Sequence, residues 1–368
     1  MRRTTIWING RFLGRKVTGV ERVACEILNS LAEHYLDAEG RYTTENRQLQ
    51  FKIVLDQRTA LNLPDFARHW EVKRTGRFQG HAWEQFDLAR FQPQDWLLNL
   101  CNTAPLWRRR QAVFFHDAQV YAIPENFSWK FRFWYRALLR IAGRRSRLLF
   151  TNSHFSQAEL SRYTGIRREK FRVIHLGSDH MQRLRVESPR ALLEKLNGAP
   201  FVLAVSSSSP NKNFQGVLNA LQSMGQGAPH CVIVGQKYTR VFNSVSLSDQ
   251  QVSEMGYVSD EQLAGLYQQA MCLIYPSLYE GFGLPPLEAM QMSCPVIVSQ
   301  RAALPEVCGD AAFYCDPQAP ESIAAAIREL QAYPDLPALR AKNRQHAQQF
   351  TWQKSAGKLL SALCQNLD

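Results

Sequence analysis

An α/β chain built from two doubly wound, Rossmann-like domains is what this sequence predicts, and three observations predict it. Its 368 residues exceed what one ordinary core organises. Short apolar runs typical of buried parallel strands alternate with helical patterns along the whole chain. One stretch, Tyr275 to Met290, shows the repeating unit in full. The apolar run Cys272 to Tyr275 is a buried strand, Gly281 and Gly283 space a turn, and Pro285-Pro286 mark a helix start, where a missing N–H does no harm. The expected division is 1–190 and 191–350, with 351–368 a separate final helix.

In the first domain, Thr5 to Asn9 is a strand. A loop from Gly14 to Val20 follows, then a helix starting at Thr18 or Gly19 and running to about Tyr35, with Val23, Ile27, Leu28 and Leu31 on one side. Gly19 lets the backbone approach a ligand closely, although a plain strand-to-helix turn needs nothing more. Phe51 to Leu55 and Asp95 to Leu100 are strands. Ala112 to Phe115 is another, ending in His116-Asp117, the end of a parallel strand where α/β proteins bind ligands. A lone histidine there also fits a purely structural role.

Lys130 to Phe150 contains no acid and interleaves Arg136, Arg140, Arg144 and Arg145 with Phe131, Phe133, Trp134 and Tyr135. A basic amphipathic helix of this kind suits the interface of an anionic bilayer. It equally suits a helix packed on a sheet with its arginines in water, and the two readings are compatible. Strands at Leu148 to Asn152 and Phe171 to His175 complete this half.

The second half opens with the strand Phe201 to Val205, which leads through Ser206-Ser207-Ser208-Ser209-Pro210-Asn211 to Lys212. Lys212 is a point charge suited to a diphosphate, or simply a solvated loop lysine. Cys231 to Val234 is a further strand, and the segment Val252 to Val258 follows it. Helices follow from Asp260 to Ala270, over Ile323 to Leu330, and from Phe350-Thr351-Trp352 onward.

The formal charge is +12 and sits in the first half; the part after Lys195 is slightly acidic. Nucleic acid and an anionic membrane are the partners such a surface suggests. Eight cysteines without C-x-x-C or zinc spacing read as reduced, buried thiols and a reducing compartment. No signal-peptide pattern is evident, and no run approaches the ~18 apolar residues of a membrane span.

The chemistry concentrates at Tyr275 to Met290. A helix start presents backbone N–H groups and a positive dipole end to an anion. Glu280 in the loop and Glu288 in the helix add carboxylates suited to sugar or ribose hydroxyls. On spacing alone, a solvated loop glutamate and a helix-face glutamate explain the pair equally well. The full string decides. Pro276-Ser277, Glu280-Gly281-Phe282-Gly283, Pro286-Leu287-Glu288-Ala289, Pro295-Val296-Ile297, Leu304-Pro305-Glu306-Val307 and Gly309-Asp310-Ala311-Ala312 closely resemble the signature of retaining glycosyltransferases of the GT-B fold, family 4, whose E-x7-E motif matches Glu280 and Glu288. Thr18-Gly19-Val20-Glu21-Arg22 and His116-Asp117 resemble the branch holding bacterial exopolysaccharide and O-antigen mannosyl- and rhamnosyltransferases.

The resemblance implies two Rossmann-like domains facing across a cleft, the last helix returning to the first domain. It implies that Glu280 holds the donor sugar, Glu288 the ribose, Lys212 a phosphate, and His116 the sugar from the other domain. Gly281, Phe282, Gly283, Leu284 and Gly19 would line the diphosphate, and Tyr257 and Val258 the base. Many members carry an arginine at the end of the strand preceding Lys212. Serines near Ser206 or Ser207 stand there instead, and Lys237 or Arg240 could substitute. Ser207 is kept as a donor-side residue.

The expected activity is metal-independent, cofactor-free, retaining transfer from a nucleotide-sugar, GDP-mannose first and rhamnosyl or other hexosyl donors as alternatives. The expected acceptor is a lipid-linked saccharide. The expected location is the cytoplasmic face of the membrane, held peripherally through Arg136, Arg140, Arg144 and Arg145, with no specific nucleic acid. A non-catalytic scaffold of this fold and a basic nucleic-acid-binding protein remain the other classes.

Overall fold

The computed structural model describes residues 2–59, 64–206, 209–235 and 251–367. It separates into two units, Met1–Gly177 with Thr351–Asp368, and Ser178–Phe350.

The first unit holds β1 (Arg2–Asn9), β2 (Arg41–Thr43), β3 (Arg47–Leu55), β4 (Val72–Arg74), β5 (Trp96–Asn99), β6 (Gln111–Phe114), β7 (Leu148–Thr151) and β8 (Phe171–Val173). Their order is β3-β1-β5-β6-β7-β8, and these neighbours are all parallel. β2 pairs antiparallel with one part of β3, and β4 parallel with its last residues. Two helices concern the site: α1 (Gly19–His34) and α2 (Trp129–Arg145). Leu138, Leu139 and Ala142 of α2 bury against Val113, Phe115 and Leu149, so the helix has a core face as well as a basic one. The final helix, Trp352–Asn366, packs on α1 within this unit. There the Tyr35 hydroxyl reaches Gln353 O at 3.1 Å. A Cβ at Gly357 would lie 2.6 Å from that hydroxyl oxygen, so glycine permits the approach.

The second unit contains β9 (Phe201–Ser206), β10 (His230–Gly235), β11 (Val252–Gly256), β12 (Cys272–Tyr275), β13 (Val296–Ser299) and β14 (Phe313–Cys315). They form one parallel sheet in the order β11-β10-β9-β12-β13-β14. This is the Rossmann order, and direction reverses between β9 and β12, where ligands of open α/β sheets bind. The helices needed below are α3 (Phe214–Met224), α4 (Asp260–Gln269) and α5 (Leu284–Gln291). Val217, Leu218 and Leu221 of α3 cover Val202, Ile233 and Ile274 together with Ile323, Ile327 and Leu330. Burial of this kind is the main stabilising term, about 1.5–3 kcal/mol for each large aliphatic side chain.

The other strands lie where expected, but β11 and β13 were not read as strands, and β2, β4 and β14 were not foreseen because three residues carry too little periodicity to register. The division falls after Gly177, not after 190, because the intervening segment is tied to the second unit. Ser178 N–H donates to Phe350 O (3.2 Å), and Glu187 N–H to Glu261 O (3.1 Å). A Cβ on Gly265 of α4 would sit 1.9 Å from Glu187 O, so that seat exists only with glycine. All eight cysteines are free thiols, five of them buried. Among the described residues no helix is long and apolar enough to cross a membrane.

Candidate functional site

The switch point of the second sheet brings together the loops after β9 and β12. Asn211, buried beyond β9, donates from Nδ2 to Tyr279 O (2.9 Å), while its own carbonyl accepts from Leu278 N–H (2.7 Å). These bonds fasten the Lys212 turn to the Glu280 loop. Asn213 takes a left-handed φ of +57° and donates to Pro276 O at 3.3 Å. Lys212 Nζ therefore lies 2.5 Å from Glu280 Oε1 and 2.6 Å from the Tyr275 hydroxyl, whose ring centre is 4.9 Å away. Ser277 Oγ donates to the same Glu280 oxygen at 2.6 Å. Glu280 O accepts from Ala303 N–H at 3.3 Å. Burial, then the charge of Glu280, push the Tyr275 phenol well above its ordinary range, so it stays neutral. The result is a largely buried cation and carboxylate held by fixed partners at a strand end.

α5 begins at Leu284, one residue ahead of the proline pair, and Gly283 precedes it with φ +105°. That backbone conformation favours glycine. Pro285 and Pro286 remove two first-turn donors. This first turn thus has fewer N–H groups to offer an anion than a bare helix start would. Glu288, further along α5, is buried and faces His180, Nε2 to Oε1 3.1 Å. Ser178 Oγ donates to Gln291 one turn later (3.2 Å). Tyr257, just past β11, is 67% exposed. Ser207, Lys237 and Arg240 lie outside the described residues.

The first unit has its own switch point, between β1 and β5. Gly19 opens α1 just beyond β1, and a Cβ there would meet nothing within 4 Å, so the space before it is open. Thr18 hydroxyl donates to Glu21, and Arg15 lies 3.6 Å from the same carboxylate. His116, at the end of β6, is buried and stacks on Phe114 at 4.6 Å. Its backbone N–H donates to Asn102 Oδ1 (2.7 Å), and Nε2 lies 2.9 Å from Leu100 O. Since a carbonyl only accepts, Nε2 carries the proton and Nδ1 a lone pair. Burial lowers the His116 pKa to about 4, so the ring is neutral at physiological pH.

The α2 arginines are less free than their sequence suggests. Arg136, Arg140 and Arg144 donate to the carbonyls of Val120, Tyr163 and Thr164. Arg136 and Arg140 also lie over the Tyr121 ring, and Arg145 over Trp107 at 4.4 Å. Trp129 (67% exposed) and Phe133 (75%) present apolar surface at the start of the helix.

Tyr275, Ser277, Asn211 and His180 are site residues that sequence reasoning left without a role. Tyr275 and Ser277 stood within the motif but carry no charge. His180 has no spacing signal, because its partner lies 108 positions away.

Two family descriptions match this chain: glycosyltransferase family 4 over residues 17–182, and glycosyl transferases group 1 over 188–350. O-antigen chain mannosyltransferase B of Escherichia coli is 31% identical over 265 residues, 69% of this chain and 70% of that protein. O-antigen chain mannosyltransferase RfbU of Salmonella typhimurium is 28% identical over 343 residues, 89% of this chain and 91% of its own. Among solved structures, Anabaena Alr3699/HepE with UDP and glucose superposes with a TM-score of 0.71 at 19% identity, over 98% of this chain and 100% of that one.

Proposed function

This chain belongs to the family 4 (group 1) glycosyltransferases, and from that premise we propose that it transfers mannose from GDP-mannose to a hydroxyl of a lipid-linked saccharide, with retention and without a metal, at the cytoplasmic face of the membrane. It has the GT-B fold of two Rossmann-like units, and its mannosyltransferase relatives make O-antigen. The observation that carries the reading is Lys212 paired with Glu280 at the sheet's switch point.

When the bond from the sugar to the diphosphate breaks, negative charge collects on the diphosphate and positive charge on the sugar ring. Lys212 and the N–H groups of Gly281 to Leu284 meet the first, pre-aimed and without reorganisation. Once a phosphate takes up Lys212, Glu280 is released to accept hydrogen bonds from sugar hydroxyls, while Ser277 and Tyr275 keep the pair in register. Glu288, oriented by His180, holds the ribose diol. Tyr257 and Val258 flank the base through their backbone. Within the first unit, neutral His116 offers Nδ1 to a sugar hydroxyl, and the space beside Gly19 at the start of α1 is open.

Membrane association rests on α2, with Trp129 and Phe133 entering the interface and basic side chains meeting anionic lipid. Incubation with GDP-mannose and a lipid-linked mannoside tests the whole reading. The expected product is an α-linked mannoside formed equally with and without EDTA. An inverted product, or transfer from another nucleotide-sugar alone, would contradict it.

A further inference from the structure

A cavity lies in the first unit and has no part in the site above. It encloses about 420 Å³ and is walled by His81, Gln85, Phe86, Leu106, Trp107 and Trp134. We propose that it receives the hydrocarbon chain of the acceptor lipid, immediately next to the anionic group that joins chain to saccharide. This rests on the reading that the acceptor is lipid-linked.

The polar atoms of the wall decide the occupant. Gln85 spends both ends of its amide locally, Nε2 on Ala104 O (3.0 Å) and Oε1 on Leu106 N–H (2.9 Å). The ring nitrogens of His81 face Arg11 at 3.1 and 3.3 Å, and Nδ1 lies 3.1 Å from Glu84. Trp134 Nε1 has no partner but no exposed surface either. A saccharide ring needs several donors and acceptors for its hydroxyls, and the polar side chains of this wall leave it few. What it presents is carbon. The carbon surface also continues outward: Phe86 is 52% and Trp107 63% exposed, and Phe78, 50% exposed, has its ring centre 5.5 Å from that of Phe86. Solvated aromatic surface of this extent is characteristic of a binding face. Arg145 lies over Trp107, placing positive charge beside the wall to meet a lipid phosphate.

The test is calorimetry on the whole chain with two probes, methyl α-mannoside and octyl α-mannoside, the latter below its micelle concentration. Each methylene taken from water tightens binding by roughly fourfold, so octyl mannoside should bind at least tenfold tighter than the methyl compound. Trp107→Ala with Phe86→Ala should cut that advantage about tenfold and leave methyl mannoside unchanged. Both side chains are more than half exposed, so the variant should keep its melting temperature and its response to GDP. Equal affinity for the two probes, an advantage that survives both substitutions, or equal weakening of both probes would each overturn the proposal, the last assigning the cavity to saccharide. Chain binding without any transfer from GDP-mannose would contradict the functional reading and leave the cavity assignment standing.

Discussion

Glu84 in the first unit and Glu280 in the second are both buried carboxylates paired with a cation, and they are built differently. Glu84 is 0% exposed in its side chain and uses both oxygens. Oε1 accepts from Thr103 (2.6 Å) and Asn9 (3.0 Å), and Oε2 faces Arg11 and His81. Burial alone would raise its pKa, but the hydrogen bond from His81, the charge of Arg11 and the bonds from Thr103 and Asn9 outweigh it, and the net shift is downward. Glu280 is reached by Lys212 and Ser277 on Oε1, which leaves Oε2 with capacity to accept, and its side chain is 10% exposed. One carboxylate is saturated and braces the ends of β1 and β5. The other is held by one oxygen, beside the switch point of its sheet. Burial and pairing alone do not separate a brace from a site; unused hydrogen-bonding capacity at a sheet's switch point does.

Each substitution below breaks or sharpens that contrast. Glu280→Gln should lower kcat about a thousandfold, the scale of losing a transition-state contact, while GDP still shifts the melting temperature. Glu84→Ala should act on stability instead. Removing one partner of a buried pair costs about 3–5 kcal/mol, read as a lower midpoint in urea. The wild-type contribution of Glu84 carries a pH signature. Its folded pKa lies below the ordinary 4.5, so the stability it supplies is complete above that pH and lost as pH falls toward the folded value. Acid titration of the urea midpoint should show this component in the wild type and not in the variant. Glu288→Ala should raise the donor KM roughly tenfold with kcat nearly kept, since it removes binding common to ground and transition states. Tyr275→Phe, which deletes one neutral partner of Lys212, should have the smallest effect, a few-fold in kcat/KM, on the scale of one hydrogen bond of about 1 kcal/mol.

The two regions also differ in what the sequence shows of them. β12 is a four-residue apolar run, and its four side chains are buried. The glycine and prolines after it fix the loop and helix start locally, so the positions of Glu280 in the loop, Gly283 ahead of the helix and Glu288 within it could be read from one contiguous string. The roles proposed for them and for Lys212 came from the family resemblance and not from spacing. Tyr275 and His180 were missed because their roles arise from packing between segments 63 and 108 residues apart. Glu84 was missed altogether, for its partners Asn9, Arg11 and Thr103 lie far from it in the chain and only His81 is near. On α2 the charges were legible, but not that Arg136, Arg140 and Arg144 fasten the helix to neighbouring carbonyls. Side-chain direction depends on tertiary context that composition does not encode.

The central claim is that the Lys212–Glu280–Glu288 site takes a guanosine diphosphate sugar. The most direct measurement is the melting temperature of the wild type and of Glu288→Ala against GDP, UDP, dTDP and ADP. A ligand at one hundred times its Kd adds about 2.7 kcal/mol to the stability of the folded state. The account predicts that GDP alone raises the wild-type melting temperature, with and without magnesium, and that the variant needs about tenfold more GDP for the same shift. A shift by another nucleotide alone, by none of the four, or one unchanged in the variant would contradict it.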